Sequence, residues 1–261
     1  MKDTWGLGIP YDRYVGRWSR IVARKFLYWL GVPAGQRWGD VGCGTGALVE
    51  CILAMSEPKS ILAVDRSNGF VTEAQGKIDD QRAQYMVADA TAIPWKRASC
   101  DATVSGLVLN FVSDPVTMMT EMVRVTRPRG RVGAYVWDYS EGMEMMRVFW
   151  DVAVEVNPGD AAYDQAERFP LCKPEPLKML FQNVGLTALE VRPIDIAMIF
   201  RDFDDFWTPF LGRQGAAPTY LASLDSETRD RIKKILKSRL VPSTDGSIRL
   251  AARAWAVQGV V

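Results

Sequence analysis

From Gln36 onward the chain repeats one pattern, a short apolar run that often ends at an acidic residue, followed by a segment with helical spacing. That alternation predicts a parallel sheet covered by helices. The expected strands are RWGDV (37–41), SILAVD (60–65), QYMVAD (84–89), DATVSGLVL (101–109) and RVGAYVW (131–137). Leu48, Ile52 and Met55 share one side of a helix over 47–55, and a second helix is expected at about 69–78. Asp114-Pro115 reads as a helix cap followed by proline at the first helical position, and Val116, Met119, Met122, Val123 and Thr126 keep a period near 3.6. Beyond Trp137 the rhythm changes. Residues 138–173 read as an insertion, a helix at 175–183 leads to a strand within 188–194, and 199–245 form a second excursion with a helix at 226–239. The run IRLAARAWAV (248–257) reads as a last strand. No linker argues for a second independent domain. The expectation is one domain over 1–261, with an N-terminal helical lid (1–35), a core (36–137), cap insertions (138–173 and 199–245) and a final strand (246–261).

Composition narrows the chemistry. The 261 residues contain no histidine, so histidine-based nucleophilic pairs, imidazole shuttles and histidine metal ligands are excluded. No metal site is expected. The 32 basic and 31 acidic side chains leave a net charge of +1, which supplies no broad cationic field, so nucleic acid is not expected as a partner. The longest uncharged run, 102–113, is too short to span a bilayer, and no integral membrane segment is expected. The start MKDTWGLGIPYDRY lacks the layout of a secretory signal, and Cys43, Cys51, Cys100 and Cys172 form no Cys-x-x-Cys pair. Both features lead to the expectation of a cytoplasmic protein with reduced thiols. Oligomeric state has no signal in the sequence.

Between the first strand and its helix lies Asp40-Val41-Gly42-Cys43-Gly44-Thr45-Gly46-Ala47, where glycines let the backbone turn tightly and approach a ligand. The spacing of Gly42, Gly44, Ala47 and Asp65 also satisfies a dinucleotide fingerprint, so a nicotinamide cofactor and an NAD(P)-dependent oxidoreductase stand as alternatives. Charge separates the two. A pyrophosphate on the helix N-terminus would feel the like charge of Asp40, whereas S-adenosylmethionine brings an ammonium and a sulfonium and no phosphate. Asp65 is placed to accept from both ribose hydroxyls, and Asp89 from the adenine amino group with the Ala90 backbone N–H beside it. Asp40 or Asp89 could instead serve as a helix cap. Arg66 is placed either to pack on the adenine or to stand solvated at the surface. Cys43 reads as a small filler, since no group that would lower its pKa is evident.

The stretch 38–136 resembles the class I S-adenosylmethionine-dependent methyltransferases, in particular the group that includes the ubiquinone and menaquinone biosynthesis enzymes. DVGCGTG (40–46) resembles the family's first motif, AVDRS (63–67) its second-strand acid and VADATAIPW (87–95) its adenine-binding segment. CDATVSGLVLNFVSDP (100–115) and RVTRPRGRVGAYVW (124–137) resemble the fourth and fifth strand motifs. The resemblance implies a Rossmann-like, doubly wound α/β fold with a seven-stranded sheet whose last strand is antiparallel. It also implies S-adenosylmethionine as cofactor, held by Asp40, Gly42, Gly44, Gly46, Asp65, Arg66, Asp89 and Ala90.

Many relatives carry a histidine where this chain has Asn110. An amide can orient a nucleophile but cannot act as a base at neutral pH, so Asn110 is a positioning candidate. By analogy with lids in the family, Tyr11, Tyr14, Asp138 and Tyr139 are the nearest candidates for a base, Tyr14 as a lid residue. The aromatic and methionine side chains of 137–150 and 203–210 are expected to be mainly core, with a minority lining an apolar pocket. The expected acceptor is a small apolar or aromatic molecule. A protein that binds the cofactor without transferring methyl is the third reading.

Overall fold

The computed structural model describes residues 15–212 and 215–261. Helix α1 (Arg17–Leu30) precedes strand β1 (Arg37–Val41), which leads to α2 (Ala47–Met55); β2 (Ser60–Asp65) leads to α3 (Asn68–Lys77), and β3 (Ala83–Val87) to a loop. Strand β4 (Cys100–Gly106) is followed by α4 (Pro115–Val125), and β5 (Thr126–Trp137) by α5 (Glu144–Val156) and the short α6 (Gln165–Arg168). Helix α7 (Pro174–Asn183), strand β6 (Thr187–Phe200), helices α8 (Phe203–Trp207), α9 (Ala216–Ser223) and α10 (Ser226–Arg239), and strand β7 (Ile248–Val260) complete the chain. The seven strands lie in the order β3-β2-β1-β4-β5-β7-β6, with the last strand antiparallel. The doubly wound methyltransferase topology that the resemblance implies is therefore the one found.

Strands β1 to β5 pair in parallel, and their register fixes which side chains share a face. Asp40 stands opposite Ala63, and Ala63 opposite Tyr85; on the other side Asp40 stands opposite Val104. Residues paired in this way point to one face of the sheet. The helices form for local reasons that were readable. Asp114 accepts from the backbone N–H of Thr117 at 2.9 Å and from its hydroxyl at 2.6 Å, which closes the first turn of α4 with Pro115 inside it.

Strand β6 runs on to Phe200, past the expected end at 194 and into the expected second excursion, because its alternation of buried and exposed residues continues from Ile194 to Phe200, and β7 runs on to Val260; three other strand boundaries also differ from expectation. Strand β4 stops at Gly106, because Leu107 adopts a left-handed φ of 62° and 109–111 coil into a 3₁₀ turn. Strand β3 stops at Val87, so Asp89 lies in the following loop and not at a strand end. Strand β5 starts at Thr126, directly off α4, five residues before the expected 131, and 127–130 form a bulge inside it. Its register jumps from Cys100 against Thr126 to Ala102 against Arg131. The bulge is fastened where Arg129 N–H donates to the Val261 carbonyl and Val261 N–H to the Gly130 carbonyl, at 2.8 and 3.0 Å.

The chain divides into two compact units. One comprises 19–136, 171–194 and 254–261 and contains β1 to β4, the glycine-rich turn and helices α2, α3, α4 and α7. Its core includes Trp38, Val41, Ile52, Ile61, Val64, Met118, Met122 and Phe181, and Phe26 of α1 lies against Tyr135 of β5 with ring centroids 4.8 Å apart. The other comprises the first described residues up to Trp18, 137–170 and 195–253. Phe149 stacks on Phe210 at 4.7 Å, Trp150 and Tyr220 lie 5.2 Å apart, and Trp150 donates its indole N–H to Gln165 at 3.1 Å. Most of the aromatic and methionine side chains of 137–150 and 203–210 are buried in this second core.

Candidate active site around the glycine turn

The turn between β1 and α2 is anchored at several points. The backbone N–H groups of Gly42 and Cys43 both donate to the Val64 carbonyl, at 2.8 and 2.9 Å, and the buried Ser105 hydroxyl donates to the Val41 carbonyl at 2.7 Å. Gly42 has φ 80°, and a Cβ built there would stand 2.6 Å from the Val108 side chain, so no larger residue fits. Gly46 caps α2 in the left-handed region at φ 88°, its position closed by Ile78 at 2.6 Å. Gly44 is different, since nothing stands within 4 Å of its Cβ direction. The turn thus packs against protein at Gly42 and Gly46 and leaves free space at Gly44.

Asp65, at the end of β2, accepts from the Gly44 N–H at 3.0 Å and from the Ser67 N–H at 2.8 Å. Burial raises its pKa, while those two backbone donors and the nearby Arg66 charge oppose the rise. Asp40 is in another situation. It is fully buried, and neither carboxylate oxygen has a hydrogen-bond partner. Burial first, and the Asp65 charge second, push its pKa up to about 8. A carboxyl group so placed is an acceptor of positive charge with nothing yet to accept. The thiol of Cys43 is pushed well up by burial, then by Asp40 and Asp65, which suits a filler and not a nucleophile.

Asp89 is exposed and accepts from the Thr91 N–H at 2.8 Å and the Thr91 hydroxyl at 2.7 Å, and these bonds lower its pKa. It caps its own turn while keeping an oxygen toward solvent. Ala90 is half-buried beside it and Arg66 is exposed. Asn110 lies on the 3₁₀ turn after β4, whose Val108 abuts Gly42, and its Nδ2 is buried without a partner. Tyr11 and Tyr14 lie outside the described residues. Asp138 is buried and accepts from the Ser140 N–H, the Ser140 hydroxyl and the Glu141 N–H, so its carboxylate is occupied in a turn; Tyr139 is buried too. Among the described residues no cluster of three or more metal-binding side chains occurs.

Tyr85 belongs with this group although no motif marks it. Its hydroxyl is buried without a partner, and burial, Cys43 and Asp40 all raise its pKa. The signal was present in the strand alternation, since Tyr85 shares its row with Asp40, but only the register makes that row visible.

The residues present fit S-adenosylmethionine better than a dinucleotide. The orphaned, buried Asp40 carboxyl suits an ammonium and would repel a pyrophosphate, and the open side of Gly44 offers room beside the acid that a ribose would meet.

Residues 39–133 match the methyltransferase domain family. A segment of 123 residues is 32% identical to the tRNA (carboxymethyluridine(34)-5-O)-methyltransferase ALKBH8 of Mus musculus, covering 46% of this chain and 17% of that protein. Another, of 121 residues, is 32% identical to the demethylmenaquinone methyltransferase of Renibacterium salmoninarum, covering 44% of this chain and 46% of the relative. The chain therefore spans less than half the length of these curated relatives. The Haemonchus contortus phosphoethanolamine N-methyltransferase 2, solved with phosphomonomethylethanolamine and S-adenosylhomocysteine, has the same fold at a TM-score of 0.57 and 18% identity, over 91% of this chain and 52% of that one. Fold and glycine turn together define a Rossmann-like methyltransferase domain. Residues 39–133 therefore form a domain that matches the class I S-adenosylmethionine-dependent methyltransferases, and the match supports S-adenosylmethionine as the cofactor.

Proposed function

We propose that this chain transfers a methyl group from S-adenosylmethionine to a small apolar or aromatic acceptor by in-line displacement. The observation that carries the reading is the buried, unpartnered Asp40 beneath a glycine turn whose Gly44 N–H is held by Asp65. When bound, the cofactor supplies an electrophilic methyl carbon. The chain's own residues bind and orient. Asp40 receives the ammonium, Asp65 the ribose hydroxyls, and Asp89 with the Ala90 N–H the adenine edge, while Arg66 lies exposed alongside. Asn110 orients the acceptor through its free amide N–H, an interaction that aligns without removing a proton. With no histidine in the sequence, any base comes from a tyrosine, a carboxylate or the acceptor itself.

The match to ALKBH8 covers only 17% of that protein, so its tRNA acceptor is a weak guide here, and a net charge of +1 favours a small uncharged acceptor over extended nucleic acid. Within the described residues no helix is long and apolar enough to cross a membrane. The test is transfer of label from methyl-labelled S-adenosylmethionine to a panel of phenols, quinols, amines, thiols and tRNA, with NADH binding measured in parallel. Label in a small acceptor supports the reading. Label only in tRNA overturns the acceptor class, tight cofactor binding with no transfer marks a non-catalytic binder, and NADH binding in preference to S-adenosylmethionine overturns the reading altogether.

A further inference from the structure

The carboxylate oxygens of buried Asp40 and the hydroxyl of half-buried Tyr85 are buried atoms without a hydrogen-bond partner, and the two residues belong to one row of the sheet. Asp40 of β1 stands opposite Ala63 of β2, and Ala63 opposite Tyr85 of β3, so all three side chains leave the same face. Strands two places apart set the outer Cα atoms about 10 Å from each other. Neither group bonds the other directly, but a phenol and a carboxyl group can be linked across that gap through one water, provided the residue between them is small. Ala63, fully buried, is that residue. One row therefore offers an acceptor lacking a donor and a donor lacking an acceptor.

We propose that Tyr85 is a positioning residue for Asp40: its hydroxyl donates across Ala63 toward the carboxylate through one bridging water and holds it in the ionised form that receives the cofactor's ammonium. The proposal rests on the reading that Asp40 meets that ammonium. The other titratable groups around the pair would not replace Tyr85. Asp65 from the end of β2 and Cys43 from the glycine turn act on Asp40 as acids, and Glu50 of α2 and Asp80, three residues before β3, act on Tyr85 in the same sense. None of these acids, when charged, favours ionisation of Asp40. A neutral phenol is the donor that favours it.

The test is calorimetric binding of S-adenosylhomocysteine from pH 6 to 9 by the full chain, by Asp40→Asn and by Tyr85→Phe, with thermal unfolding of each as a check on folding. Binding by the parent should strengthen as pH rises through the titration of Asp40. Asp40→Asn should lose that rise and bind more than tenfold more weakly at high pH, and it carries any titration that belongs to the ligand itself. Tyr85→Phe should keep the rise but move its midpoint upward by about half to one pH unit, weakening binding about three- to tenfold near neutrality and converging with the parent at high pH. An Asp40→Asn profile identical to the parent's would overturn the underlying reading of Asp40. A normal midpoint in Tyr85→Phe, with Asp40→Asn impaired, would overturn the role of Tyr85 alone.

Discussion

The Asp65 carboxylate holds the backbone N–H of Gly44 at 3.0 Å, so the acid at the end of β2 and the middle of the glycine turn are one unit. Its other oxygen takes the Ser67 N–H at 2.8 Å, next to the start of α3. The acid that meets the ribose in the proposed complex therefore also shapes the loop that meets the rest of the cofactor. Asp65→Ala should weaken S-adenosylhomocysteine binding at least tenfold and lower stability by about 1–3 kcal/mol through the two freed donors. Asp65→Asn keeps one acceptor oxygen and should lose less of both. Calorimetry with urea unfolding separates the effects, and wild-type affinity in Asp65→Ala would remove this residue from the site.

Asp40 should make the cofactor-free protein less stable as pH rises. Its folded pKa, about 8, lies above the unfolded value of about 3.9, so between those limits the folded state holds a proton that the unfolded state has released. Stability from this group is complete below the unfolded value and is lost as pH climbs through the folded one. Asp40→Asn removes the loss, and should gain stability over the parent on the order of a few kcal/mol at pH 8 while matching it near pH 4. Urea unfolding across that range reads the difference. A variant that stabilises the empty fold while harming cofactor binding would mark Asp40 as retained for function.

Asp101 works in the opposite sense. It accepts from the backbone N–H and guanidinium of Arg37, and from Arg127 Nε at 2.7 Å, bonds that hold its pKa below the ordinary carboxylate range. For this depressed acid, stability is present above the unfolded value near 3.9 and is lost as pH falls toward the folded one. Asp101→Asn should destabilise by about 1–3 kcal/mol at pH 7, with the difference shrinking below pH 4. A chemical-denaturation series from pH 3 to 7 checks both the size and the slope.

Much of this fold was legible because its signals are local. The glycine turn, the Asp114-Pro115 cap and the bounds of α2, α10 and β1 are set by residues within a few positions of one another. The errors fell where distant partners decide. The bulge at 127–130 is fixed by Val261, at the far end of the chain, and the early end of β4 by a positive φ at Leu107 that no local residue type announces. The same division runs through the site. Asp40, Asp65 and the glycines are candidates that spacing alone suggests, whereas Tyr85 becomes a candidate only when β3 is aligned beside β2.

Asn110 offers the sharpest test of how the acceptor is held. Its Nδ2 is buried and bonded to nothing, on the 3₁₀ turn beside Gly42, so removing the amide breaks no hydrogen bond of that atom. Asn110→Ala should leave stability within about 0.5 kcal/mol of the parent and S-adenosylhomocysteine affinity unchanged, yet lower kcat/KM about 10- to 100-fold, because alignment is lost while cofactor contacts remain. Asn110→His adds the sole imidazole in a chain without histidine, and its titration can be followed directly by NMR. If the residue faces the acceptor, the pH–rate profile of that variant should acquire a limb near the imidazole pKa that the parent lacks. An unchanged profile together with full activity in Asn110→Ala would place the acceptor elsewhere.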